Sequence, residues 1–171
     1  RRPEGSRLMV GGSIAPQISG DNITWLRANK VSKELEVIFC NSRDILHLNP
    51  GLPSGDYPEI GGSYVVWEGS GTEEDPDSEI FFYDGKRTIQ LTDNDRDDAY
   101  PHTDGATIVW IGTDRIFDHV IENIFAHDIQ TGETTQITDH LSRGRFSEGG
   151  VGFPQVGGSV IAWEGYDGDD W

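Results

Sequence analysis

YPHTDGATIVWIG, from Tyr100 to Gly112, is a proline, a tight polar turn and a short apolar run ending in tryptophan. Nearly the same phrase occurs three more times: PQISGDNITWL from Pro16, PEIGGSYVVWE from Pro58 and PQVGGSVIAWE from Pro154. In every copy the tryptophan stands nine residues after the proline, at Trp25, Trp67, Trp110 and Trp163. Successive prolines are 42, 43 and 53 residues apart. A phrase recurring at such a period marks a repeat architecture, and it outweighs local propensity as a guide to the fold.

Two further anchors follow the tryptophan. The first reads EIFFYDG at Glu79 and NIFAHDI at Asn123, with a weaker EVIFCN at Glu36. The second reads IQLTDN at Ile89 and TQITDH at Thr135, with ILHLNP at Ile45 as a blurred form. One unit is therefore four short β-branched and aromatic runs separated by turn residues, which predicts four strands. Gly-Asp, Gly-Gly or Asp-Gly after the first run suits a two-residue hairpin. DGK and QTGE after the third run predict further tight turns. The proline is expected at the first residue of its strand, where a missing N–H is tolerated.

A repeated four-stranded antiparallel unit predicts an all-β fold, a β-propeller, whose blades bury their faces only against neighbours. The chain supplies about 3.5–4 blades: blade 1 about 14–50, blade 2 about 56–93, blade 3 about 99–140 and a partial blade 4 about 152–171, with SRLMV at 6–10 available to complete it. The four tryptophans are expected to pack between blades. The pattern P-x-I-x-G-x-x-V-V-W, then I-x-x-Y-D-G, then Q-L-T resembles the TolB-like propeller repeats. These are related to the propellers of dipeptidyl-peptidase-type N-terminal domains and of tricorn protease. The resemblance runs from Pro16 to Trp163 and is weakest in blade 1. It implies a propeller used for docking, gating or assembly, and it carries no catalytic motif.

Propellers have about four to eight blades, so the ring needs closing. Two chains can join head to tail, one chain can form a four-bladed ring, or the chain can be part of a larger ring. We expect the first, a homodimer. An open stack would leave strand edges and inter-blade faces exposed.

Composition narrows the partners. The 171 residues are 35% hydrophobic, with five Trp, five Tyr and seven Phe, too apolar and aromatic for disorder. No run approaches the roughly 20 apolar residues that span a bilayer, so membrane insertion is not expected. A net charge of −17 repels nucleic acid and anionic lipid. It suits a soluble protein outside the cytoplasm, periplasmic or secreted. The opening RRPEGSRLMV has too short an apolar run for a signal peptide. Cys40, the single cysteine, excludes an internal disulfide and sits in the apolar run VIFC, where a buried thiol is expected.

Strand order puts the loops after the second and fourth strands on one face. These are the long ones: EGSGTEEDPDS, IGTDRIFDHVIEN, TDNDRDDAY and TDHLSRGRFSEGGVGF. Binding usually lives on such elaborated loops. In TDNDRDDAY, Asp93, Asp95 and Asp97 alternate as the oxygen ligands of a calcium loop do, although the glycine and distal glutamate of that loop are missing. Glu73, Glu74, Asp75 and Asp77 are a weaker acidic set, and YDGDDW ends the chain with another. Calcium is the metal these residues would take, and no cofactor is required. Arg143 and Arg145 are cations on a very acidic chain, suited to bidentate binding of a carboxylate or sugar acid, or to pairing with acidic loops. His119 and Glu122 are three apart but on an expected loop. Gln17, Glu59, His102 and Gln155 follow the four repeat prolines and are expected to line the central channel as a ligand site.

No nucleophile elbow, zinc-protease motif or phosphate loop is present. The expected function is a non-catalytic propeller that binds a protein or saccharide and pairs with itself. The alternative is a hydrolase or lyase acting on acidic saccharides or peptides, with its site on the long-loop face or in the channel. Convergence of Arg143, Arg145, His102 and Glu59 on one cavity would favour the enzyme.

Overall fold

The computed structural model describes residues 13–71, 76–116, 119–139 and 151–165. Among them every regular element is a strand. Blade 1 is β1 (Ser13–Ser19), β2 (Asn22–Ala28), β3 (Leu35–Cys40) and β4 (Ile45–His47). Blade 2 is β5 (Gly55–Gly61), β6 (Tyr64–Gly69), β7 (Glu79–Tyr83) and β8 (Thr88–Gln90). Blade 3 is β9 (Asp97–Thr103), β10 (Thr107–Ile116), β11 (His119–Asp128) and β12 (Thr134–Gln136). Blade 4 is represented by β13 (Val151–Gly157) and β14 (Val160–Gly165). Each full blade is an antiparallel meander in sequence order, and β13–β14 is a hairpin. Among the described residues no helix is long and apolar enough to cross a membrane.

The inner hairpins turn as their glycines dictate. Ser19 pairs with Asn22, Gly61 with Tyr64 and Gly157 with Val160, leaving two-residue loops. Their first residues, Gly20, Gly62 and Gly158, have φ of 59°, 62° and 59°, the type II′ pattern. Blade 3 differs: its last pair is Thr103–Ile108, and Asp104 Oδ1 accepts the N–H groups of Ala106 and Thr107. There an aspartate side chain builds the turn instead of a two-residue loop.

The prolines do not begin their strands. Each sits in the middle of the inner strand, at a bulge where the register slips between Ile14 and Gln17, Asp56 and Glu59, Ala99 and His102, or Gly152 and Gln155. The bulge spares a ladder bond, so the missing N–H is harmless there as well. The residue before each proline has positive φ: Ala15 at 50°, Tyr57 at 45°, Tyr100 at 53° and Phe153 at 36°.

The third anchor also has a mechanism. Thr92 Oγ1 accepts the N–H of Ile80, and Thr138 Oγ1 accepts that of Ile124, where the fourth strand ends. In blade 1 Asn49 Oδ1 accepts the N–H of Val37, and its amide donates to Leu35 O and Pro53 O. The blurred ILHLNP thus keeps the bond with a longer side chain.

Blades pack face to face. Leu26, Val37 and Phe39 of blade 1 meet Val65, Trp67 and Tyr83 of blade 2. Val66 and Ile80 of blade 2 meet Ile108 and Trp110 of blade 3. Val109, Ile111 and Ile124 of blade 3 meet Val151, Val156 and Ile161 of blade 4. Each interior tryptophan faces the preceding blade and stacks on a third-strand phenylalanine: Trp67 on Phe81 at 6.0 Å and Trp110 on Phe125 at 5.7 Å. The phenylalanine ring needs room two residues past the tryptophan, where Gly69 and Gly112 stand. A Cβ on Gly69 would strike the Phe81 ring, and one on Gly112 would lie 2.6 Å from Phe125 Cε2. Blade 1 has Ile38 across from Trp25 and Arg27 in place of the glycine, which fits the same rule. We expect Gly69→Ala and Gly112→Ala each to cost about 1–3 kcal/mol by overpacking. Urea unfolding followed by circular dichroism checks this, and wild-type midpoints would refute it.

The segment from Gly112 to Glu122, expected as a loop, is ordered differently. Gly112–Ile116 and His119–Glu122 continue the β10–β11 ladder, with Thr113 paired to Glu122 and Ile116 to His119. Alternating Thr113-Asp114-Arg115-Ile116 keeps its backbone bonded as an extended hairpin.

Candidate functional site

The inner strands β1, β5, β9 and β13 are neighbours in that order. The four post-proline residues therefore form one row across the blades. Gln17 Nε2 donates to Glu59 Oε1 at 3.0 Å, joining blades 1 and 2. His102 Nδ1 accepts the N–H of Val156 at 3.1 Å, joining blades 3 and 4. That bond requires an unprotonated Nδ1, and burial lowers the His102 pKa, so the ring is neutral with its proton on Nε2. Burial also raises the pKa of Glu59. Gln155 is exposed and donates to the carbonyl of Pro154 at 3.2 Å. The row thus holds one side-chain pair bridging blades 1 and 2, one histidine bonded to the backbone of blade 4, and Gln155 outside both links.

Beside this row runs a second one that was hidden in the sequence. The pre-proline residues Tyr57, Tyr100 and Phe153 form a ladder of rings, with centroids 4.7 Å apart for Tyr57–Tyr100 and 5.4 Å for Tyr100–Phe153. The interplanar angles are 58° and 68°. All three rings remain exposed. Glu68 Oε2 accepts the N–H of Tyr100 at 3.3 Å, and Asp56, paired with Glu68 across the hairpin, accepts that of Tyr57. The readable signal was the residue before each proline: Ala, Tyr, Tyr, Phe.

On the long-loop face an open cleft of about 750 Å³ is lined by Pro76, Asp77, Asp95, Arg96, Asp97, Thr113 and Arg115. Two of the three aspartates read as calcium ligands, Asp95 and Asp97, line it. Asp97 accepts the N–H of Ser78 and pairs with Arg115 at 3.3 Å, so a guanidinium occupies the space beside its carboxylate. Asp93 is exposed. Among the described residues no group of three or more His, Cys, Asp or Glu is placed to hold a metal ion. Arg96 pairs with Asp114 at 3.6 Å and lies over the Phe125 ring at 4.7 Å. Asp98 is buried and accepts the Trp110 indole N–H at 2.9 Å and the Asn94 amide at 2.6 Å. Glu122 Oε2 accepts the N–H of Val151, a role in docking blade 4. Arg143 and Arg145, the acidic set Glu73–Asp75 and the SRLMV segment lie outside the described residues.

Burial raises the pKa of Glu59, Glu68, Glu79 and Asp98 above the ordinary carboxylate range. A carboxyl raised in the folded state holds its proton better folded than unfolded. Its stabilising effect is present at low pH and is lost as pH rises through the folded value. Glu36, held down by Arg27, and Asp84 and Asp128, held down by the turn N–H groups of Arg87 and Thr131, have the opposite sign. His102 and His127, lowered by burial, also lose stability as pH falls. Four desolvated carboxyls and relief of the −17 charge thus act in one direction, and the two histidines in the other. We expect the melting temperature to rise as pH falls from about 7 to about 5 and to fall below about 4. Scanning calorimetry tests this, and a flat or falling profile between the two upper values would refute it.

No family model matches the chain, and no characterised protein matches it by sequence. Solved structures do match it in fold. TolB of Agrobacterium tumefaciens aligns with a TM-score of 0.55 and 19% identity over 79% of this chain and 51% of that one. The β-propeller domain of the trilobed protease from Pyrococcus furiosus aligns at 0.62 and 12% identity over 95% of this chain and 54% of that one. Acylaminoacyl peptidase of Pyrococcus horikoshii aligns at 0.60 and 14% identity over 87% of this chain and 23% of that one. The chain spans about half the length of the first two and about a quarter of the third. In fold, the chain is a β-propeller of the TolB-like and peptidase-propeller type.

Proposed function

We propose that the chain is a non-catalytic binding propeller that closes its ring with a second copy of itself and takes its ligand, a protein or saccharide partner, at the channel. The observation carrying the closure is the contrast between inner and outer blade faces. Ile60 and Val156, which pack on the preceding blade, are 9% and 7% exposed, whereas their blade 1 equivalent Ile18 is 71% exposed. At the other end Val160 is 63% exposed. Ile18 at one end and Val160 at the other are thus open, although Trp25 and Ile38 on the same face of blade 1 are buried, and a head-to-tail copy would cover both exposed side chains. The net charge of −17 fits a location outside the cytoplasm.

Light scattering on a sizing column tests the closure with the 171-residue chain. The expected mass is near twice 18.9 kDa, and Ile18→Glu is expected to return it to 18.9 kDa. A wild-type monomer overturns the dimer. Adding calcium in the same experiment tests the acidic loop, whose Asp97 would have to exchange Arg115 for the ion. The hydrolase or lyase reading has less support. Its cleft would need free cations for an acidic substrate, yet Arg96 and Arg115 are both paired with aspartates.

A further inference from the structure

The positive φ before each proline is a property of the blade, because Ala15 shares it with the three aromatic residues. Non-glycine residues disfavour this region, and a following proline restricts them further. Ala15 meets the backbone requirement with a single methyl group, so no ring is needed for it. Tyr57, Tyr100 and Phe153 nevertheless stand at three adjacent copies, and their rings are 44%, 37% and 60% exposed. The bulge therefore does not explain the rings, and burial does not repay them.

Two carboxylates accompany the ladder. Glu68 reaches the Tyr100 backbone, and Asp56 precedes Tyr57 in the chain. No ion pair engages Asp56 or Glu68 among the described residues. Exposed aromatic faces beside carboxylates that no cationic side chain engages are the chemistry that attracts an organic cation. The tilt between rings argues against a sugar, which needs a flat, continuous platform. A compact cation needs one face and a neighbouring wall.

We propose that Tyr57, Tyr100 and Phe153, with Glu68 and Asp56 beside them, form a binding site for a small organic ammonium ion on the inner strands of the propeller. It goes beyond the binding reading above, which names a protein or saccharide partner, by assigning a separate site with its own ligand chemistry. It stands apart from ring closure: a dimer that ignores ammonium ions overturns only this site, and a monomer that binds them overturns only the closure.

The test is an NMR titration of the aromatic resonances with choline, its neutral isostere 3,3-dimethylbutan-1-ol and methyl β-glucoside. Choline is expected to bind saturably and at least about fivefold more tightly than the isostere. Tyr100→Leu is expected to weaken choline about fivefold or more, while Tyr100→Phe keeps it. Glu68→Gln should weaken choline and leave the isostere unchanged. If Tyr100→Leu does not fold, Phe153→Leu makes the same test at the most exposed ring. Equal affinity for the isostere, preferential binding of the glucoside, or no saturable choline shift overturns the proposal.

Discussion

Trp67→Ala is expected to destabilise the fold by about 3–5 kcal/mol, while Trp163→Ala costs under about 1 kcal/mol in the isolated chain. The two residues occupy the same place in the repeat. Trp67 is fully buried, packs on blade 1 and stacks on Phe81. Its loss removes a large apolar surface and leaves a cavity between two β-sheets that cannot collapse without moving their ladders. Trp163 is 40% exposed. The described part of blade 4 is a hairpin, with no third-strand phenylalanine for that indole to stack on. Urea unfolding at low protein concentration separates the two. A large loss at Trp163 would mean that further chain covers it within the monomer.

The architecture was legible because four copies of one phrase average out local noise. Proline, turn and tryptophan keep their spacing, and the sheets follow. Fine structure was less legible where a position means nothing until its partner is known. Gly69 and Gly112 look like ordinary strand glycines until the Phe81 and Phe125 rings are seen lying over them. The aromatic ladder escaped because the repeat reads naturally from the proline, one residue too late. The hairpin extension from Gly112 to Glu122 escaped because its charged residues suggest a loop. Arg115 instead pairs with Asp97, and Asp114 with Arg96. Of the post-proline row, the shared face was readable from the repeat. The pairing of Gln17 with Glu59, and of His102 with the backbone of blade 4, depends on three-dimensional offsets that spacing does not carry.

Gly61→Ala is expected to cost about 3 kcal/mol, the upper end of ordinary overpacking, and to loosen the contact between blades 2 and 3. Gly61 ends β5 where the β9–β10 turn passes against it. A Cβ there would strike the backbone of Asp104 and Gly105, and backbone cannot swing aside as a flexible side chain can. The inner turns around this contact are tied together. Asn22 Nδ2 donates to Gly62 O at 2.8 Å, Gly62 N–H donates to Ser19 Oγ at 2.9 Å, and Gly158 N–H donates to Asp104 Oδ2 at 2.8 Å. Separating blades 2 and 3 would therefore strain links running from blade 1 to blade 4. Gly20→Ala supplies the control. Gly20 has a φ of 59° but nothing within 4 Å of a new Cβ, so only left-handed strain, about 1 kcal/mol, is expected. Unfolding midpoints compare the costs, and hydrogen exchange at the Val156 amide reports whether the shift reaches His102. Equal costs at the two glycines would show that the Gly61 contact yields freely. A larger cost at Gly61 with faster Val156 exchange would show that the inner turns hold the four inner strands as one unit.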